Sequence, residues 1–147
     1  MRNPISSLAL CPVRLLGGLV LLLLLIGCPS KTPEEQLLKA VQPVGSWLAS
    51  LEMTGRKWSA NSVPASFVRS ATSAAKKEIE KASEDADRST ARPGLRDPIR
   101  KLLAEAGDAG DGLRRAVEEG DRAGVAREVG RLAALHGRFE ALTKGPA

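Results

Sequence analysis

Few side chains in this 147-residue sequence are equipped for chemistry. It holds one histidine, His136, two cysteines, Cys11 and Cys28, and no tyrosine. A haem or metal hypothesis starts at His136, because helical bundles hold such groups between facing side chains. No Cys-x-x-Cys-His occurs, so covalent haem attachment is excluded. Non-covalent haem would need Met53 opposite His136. On paired antiparallel helices the two sit about eight residues apart in depth, a mismatch of ~12 Å at ~1.5 Å per residue. A metal needs more ligands than one histidine, and Ala133 stands where a Glu-x-x-His motif would place its carboxylate. Neither a metal nor a cofactor is expected.

Enzymatic motifs are equally sparse. There is no Gly-x-Ser-x-Gly nucleophile elbow and no glycine loop of the phosphate- or dinucleotide-binding kind. The acidic pairs Glu34/Glu35, Glu84/Asp85 and Glu118/Glu119 fall at the ends of helical segments, where solvated charge is the ordinary explanation. Ser62, Ser66, Ser70 and Ser73 form a row at helical spacing that reads as a solvated face, with a partner-contact strip or tight helix packing as the alternatives. The protein is expected not to be an enzyme.

The elements that position these residues are helices throughout. Thr32-Pro33-Glu34-Glu35 has the form of a capping box, with a proline at the first helical position. Leu37, Val41, Val44, Leu48, Leu51, Gly55 and Trp58 then recur at alternating steps of four and three, and Leu38 and Trp47 widen the stripe. Pro43 falls inside it and removes one backbone donor, so one bent helix is expected over about 33–60. A second helix, 63–88, opens at Ser62-Val63-Pro64 and carries Phe67/Val68, Ala71, Ala75, Ile79, Ala82 and Ala86. Arg92-Pro93-Gly94 breaks the pattern, and Asp97-Pro98 reads as the start of a third helix, 97–118. Its stripe is Ile99, Leu102/Leu103, Ala106, Ala109/Gly110, Leu113 and Ala116/Val117. Gly120-Asp121 ends that helix and caps a fourth, 121–143, with Val125, Val129, Leu132, His136 and Phe139 on its face, flanked by Leu135 and Leu142. The expected fold is an all-α, up-and-down four-helix bundle over 33–143 with a disordered tail at 144–147. A three-helix bundle with a frayed glycine-rich segment is the alternative. The alanine-rich stripes favour close-packed helices over a roomy interior.

The first thirty residues read differently. Met1–Arg14 carries two arginines and no acid, and Leu15–Ile26 is an apolar run of 12 residues, short for a ~30 Å hydrocarbon core. Leu25-Ile26-Gly27-Cys28 follows, and it resembles the lipobox of bacterial lipoproteins. That resemblance covers residues 1–28 only. It implies cleavage between Gly27 and Cys28, acylation of Cys28 with chains such as palmitate, and residence on a membrane of the bacterial cell envelope. Cys11 does not compete, because Leu10 before it is too large for such a site. Residues 1–27 would then be a signal peptide and 28–32 a tether. Loss of Arg2 and Arg14 with the leader would lower the formal net charge of +5 by two. The cysteine count agrees with this reading, since Cys28 alone would remain and no intramolecular disulfide could form.

A tether this short constrains orientation. Cys28 lies four residues before Thr32, at most ~14 Å of chain. In an up-and-down bundle the same end holds the connection between the second and third helices, which carries Arg88, Arg92, Arg96, Arg100 and Lys101 against one acid in that stretch, Asp97. These five are expected to face anionic head groups. The opposite end, with Trp58, Asn61 and Phe67, is a candidate partner-binding tip or else a cap in which Trp58 folds over Phe67. Two functions follow. The first is a lipid-anchored, non-catalytic structural or interaction module that engages an envelope protein. The second is a small-molecule-binding bundle accessory to transport or sensing, built on Trp47, Trp58, Phe139 and His136. No nucleic-acid partner is expected, because export separates the chain from it.

Overall fold

A computed structural model describes residues 31–144. Gly27, Cys28, the leader and the last three residues lie outside that range. The described residues form four helices and no strand: α1 (Pro33–Ser59), α2 (Ala65–Arg88), α3 (Pro93–Glu119) and α4 (Arg122–Lys144). Each helix packs on its two neighbours around the bundle, α1 on α2 and α4, α3 on α2 and α4, with little diagonal contact. This is the up-and-down four-helix bundle that the stripes predict.

The helix ends show why the segments start and stop where they do. Glu35 N–H donates to Thr32 Oγ1 at 3.2 Å and Thr32 N–H donates to Glu35 Oε2 at 3.2 Å, closing the capping box. Pro43 lies inside α1, on its exposed side, and the helix continues through it without division. At the far end Asn61 takes φ 57°, and Ser62 N–H donates back to Lys57 C=O at 2.8 Å. That six-residue closure is how a left-handed residue terminates a helix. Gly120 does the same for α3, with φ 69° and Asp121 N–H on Ala116 C=O at 2.8 Å. Asp121 Oδ1 then accepts from Gly124 N–H at 2.9 Å, capping α4.

Six boundaries differ from the sequence reading, four of them by one residue: the ends of α1, α3 and α4 and the start of α4. α2 starts at Ala65 rather than 63, because Pro64 is extended (φ −75°, ψ 158°) and serves as an N-cap without a side-chain bond. α4 runs one residue further, to Lys144. The largest difference is α3, which starts at Pro93 and not at Asp97. Pro93 takes the first helical turn, and Pro98 is carried inside the helix on an exposed face, where it deletes one hydrogen bond. Burial explains the choice. Ala91 is 2% exposed and Leu95 is partly buried, so the apolar face of Ile99 and Leu102 extends back to them at steps of four. The connection between α2 and α3 is therefore only residues 89–92, and Arg96, Arg100 and Lys101 are helical rather than loop residues.

The core is one cluster contributed by all four helices, with Leu48, Leu51, Ile99, Leu103, Leu113 and Leu132 its largest fully buried side chains. The α2 contribution is smaller: Val68, Ala75, Ile79, Ala82 and Ala86. Thr72 joins them at 5% exposure, its hydroxyl donating to Val68 C=O at 3.0 Å. Gly55 is where α1 comes closest to its neighbours. A Cβ there would stand 2.5 Å from Val129 Cγ2 and 3.2 Å from Leu113 Cδ1. A side chain at this position would overlap residues of α3 and α4, so the glycine lets the three helices pack closely here.

Candidate functional site

At one end of the bundle the α1–α2 turn is fastened to the start of α4 by a single side chain. Arg122 leaves α4 at its first position. Its Nη1 donates to Ser59 C=O at 2.6 Å, its Nη2 donates to Asn61 Oδ1 at 2.7 Å, and its guanidinium lies 5.8 Å from the centroid of the Trp58 ring. One side chain thus holds the turn through hydrogen bonds and stacks on the half-buried tryptophan. Of the expected tip residues, the structure brings Trp58 and Asn61 together and uses both to bind Arg122. Phe67 does not share the core position assigned to it with Val68. Val68 is fully buried, while Phe67 is 53% exposed. The role of Arg122 has no local sequence signal, because its partners lie more than sixty residues away.

The opposite end gathers the start of α1, the 89–92 connection, the start of α3 and the end of α4. The sequence assigns it a basic loop facing one acid, and the fold corrects that count. Arg88 pairs with Glu84 at 3.0 Å and Asp85 at 3.7 Å, both one turn back on α2. Arg92 meets Glu34 from the start of α1 at 3.8 Å. Arg96 pairs with Asp97 at 3.1 Å, and Arg100 with Asp87 of α2 at 2.7 Å. Helical periodicity and the return of α1 supply acids that the local stretch lacks. Among the described residues Lys101 alone of the five has no ion-pair partner.

Between α3 and α4 at this end runs a shallow groove of about 570 Å³, walled mainly by Pro98, Leu102, Ala141 and Leu142. Lys101 and Arg138 stand on its rims with Asp97. Arg138 reaches Glu105 at 2.6 Å, and this bond holds the Glu105 carboxyl below its ordinary pKa.

His136 lies in a second open groove, between α1 and α4, with Leu38, Gln42, Ser46, Phe139 and Glu140 among its walls. Gly45 makes room there for the Phe139 ring, 3.4 Å from where a Cβ would stand. His136 Nε2 is 3.9 Å from Glu140 Oε1, and Lys144 donates to the same oxygen at 2.9 Å, which lowers the Glu140 pKa. Trp47 lies elsewhere, beside Ser66, Ser70 and Ser73 in a groove between α1 and α2. Of the four groups singled out for a ligand-binding interior, Phe139 and His136 share the α1–α4 groove, while Trp47 and Trp58 line other grooves. Met53 is 53% exposed and off the core face.

One buried carboxylate oxygen, Glu128 Oε2, has no hydrogen-bond partner among the described residues. It packs where Gly112 leaves room, with Arg131 Nη1 at 3.6 Å. Among the described residues no group of three or more His, Cys, Asp or Glu is placed to hold a metal ion. No described helix is long and apolar enough to cross a membrane. Compared with known proteins, the chain matches no protein-family profile, no curated protein and no solved structure.

Proposed function

We propose that this protein is a lipid-anchored, non-catalytic helical-bundle module of the bacterial cell envelope, acylated on Cys28, that presents its distal end to an envelope partner. The observation that carries the reading is the distance in sequence between two features. The lipobox-like Leu25-Ile26-Gly27-Cys28 ends four residues before Thr32, the N-cap of α1. An acyl group on Cys28 would hold the start of α1 within ~14 Å of the bilayer. With several acyl chains at ~0.8 kcal/mol per buried methylene, release would be negligible. The Trp58–Arg122 end then points away from the membrane, with Phe67 exposed beside the ordered turn. A pre-ordered surface binds with less loss of conformational freedom than a flexible one, which supports an interaction role.

Metabolic labelling with an alkyne fatty acid tests the anchor. Label is expected on the wild-type chain and lost in Cys28→Ala. Equal labelling of the two chains, or none in either, contradicts the proposal.

The α1–α4 groove favours a second reading, in which a small molecule sits against Phe139 and His136. Native mass spectrometry of the folded chain decides it: an excess mass supports a ligand and a clean apo mass opposes one.

A further inference from the structure

We propose that the apolar groove between the start of α3 and the end of α4 is a seat for an anionic phospholipid surface, with Leu142, Ala141 and Pro98 at the acyl boundary and Lys101 and Arg138 on lipid phosphates. The inference rests on the lipid-anchor reading for its orientation and adds to it which face meets the bilayer.

Three observations converge on this groove. The first is its place: it lies at the end of the bundle that holds Thr32, the residue four positions from Cys28. Arg92 confirms that the start of α3 and the start of α1 share this end, since its backbone N–H points at Glu34 Oε1 at 3.4 Å. The second is the lining. Pro98 and Ala141 are exposed and Leu142 is only partly buried, so the helices leave an apolar strip uncovered on an otherwise charged surface. Amphipathic surfaces of this kind settle at the head-group boundary, with apolar residues inward and Lys or Arg at phosphate level.

The third observation is the distribution of charge. The arginines of the neighbouring connection are taken up by Glu84, Asp85, Glu34, Asp97 and Asp87. Lys101 has no ion-pair partner among the described residues, and Arg138 is bound to one carboxylate, Glu105, with its guanidinium still half-exposed. The other acid on the rim, Asp97, is engaged by Arg96. Of the five basic residues assigned to this end, the one without an ion-pair partner, Lys101, therefore stands beside the apolar strip, its charge also acting on Glu105. A cation next to apolar surface is the pairing an anionic lipid requires. A tethered protein needs only weak affinity for such a contact, because the anchor supplies a high effective concentration. A second copy is a poorer occupant. One narrow groove is small against the ~1,200 Å² or more that a stable protein interface buries.

The test uses the acylated chain in vesicles, with an environment-sensitive fluorophore attached through Ala141→Cys and, in a separate sample, through Ala126→Cys near the other end. In vesicles containing phosphatidylglycerol, the label at position 141 is expected to shift to shorter wavelength and to be quenched by nitroxide-bearing lipid. The label at 126 is expected to do neither, and Lys101→Glu with Leu142→Glu is expected to abolish the response at 141. Identical emission and quenching at the two positions would overturn the inference. So would a shift at 141 that occurs equally in neutral vesicles, or one that grows with protein density in the absence of vesicles, which would indicate a second copy. If Cys28 carries no acyl group, the anchor reading fails by itself. The groove is then tested with residues 28–147 bearing Cys28→Ala and held by an amino-terminal hexahistidine on nickel-chelating lipid. The described residues, 31–144, carry a single core of their own, so this chain is expected to fold without the leader.

Discussion

Arg122 lies over Trp58, 5.8 Å from the ring centroid, while its two terminal nitrogens bind the Ser59 carbonyl and Asn61 Oδ1. This one side chain fastens the start of α4 to the α1–α2 turn and fixes the shape of the end proposed to meet a partner. Arg122→Ala is expected to lower stability by about 1 kcal/mol, the scale of an exposed cation–π contact with its hydrogen bonds. The tryptophan emission should move to longer wavelength as Trp58 gains water. Arg122→Lys should not restore either, because an ammonium cannot reproduce the fork that reaches both oxygens. Urea titration followed by fluorescence reads both effects.

The glycines separate into two kinds that sequence composition cannot distinguish. Gly55→Ala would place a methyl 2.5 Å from Val129 Cγ2, so overpacking of about 1–3 kcal/mol should outweigh the gain in helix propensity. Gly107 and Gly130 have nothing within 4 Å of a built Cβ. Gly107→Ala and Gly130→Ala should each stabilise the bundle by up to about 1 kcal/mol. Denaturation midpoints of the three variants should move in these opposite directions.

Much of this architecture was legible because local rules and global packing agree. The capping box at Thr32 and Glu35, the Gly120-Asp121 punctuation and the α1 stripe each depend on neighbours within a few residues. Two prolines compete for the start of α3. Asp97-Pro98 has the better cap chemistry, but Ala91 and Leu95 extend the buried face, and burial prevailed over local preference. The ion pairs were hidden for another reason: Glu34 and Asp87 meet Arg92 and Arg100 only after the chain has folded. The periodicity puts His136 on the core stripe of α4, yet it lines a surface groove, since Leu135 beside it takes the buried position.

Acid should loosen the α3–α4 and α4 ion pairs. The bond from Arg138 lowers the Glu105 pKa, and the bond from Lys144 lowers that of Glu140. A carboxyl depressed on folding contributes stability that is complete above its ordinary value of 4.5 and fades as pH falls through the lower folded value. Both pairs are solvent-exposed, so the effect is small. Thermal midpoints should fall below about pH 4.5, and Arg138→Gln should flatten part of that slope while changing little at its acid end.

Asp121 caps α4 through Gly124, and Asp121→Ala should cost about 1 kcal/mol. Asp121→Asn should retain most of the stability, because the amide oxygen can accept the same bond. Hydrogen exchange of the first turn of α4 distinguishes loss of the cap from a change elsewhere.

The intact mass of the protein recovered from cell membranes decides whether Cys28 carries a lipid anchor. A chain that begins at Cys28 and carries the mass of acyl groups on that residue is expected, with Cys28→Ala retaining its leader. A chain that keeps residues 1–27, or one that begins elsewhere with Cys28 unmodified, would contradict the anchor.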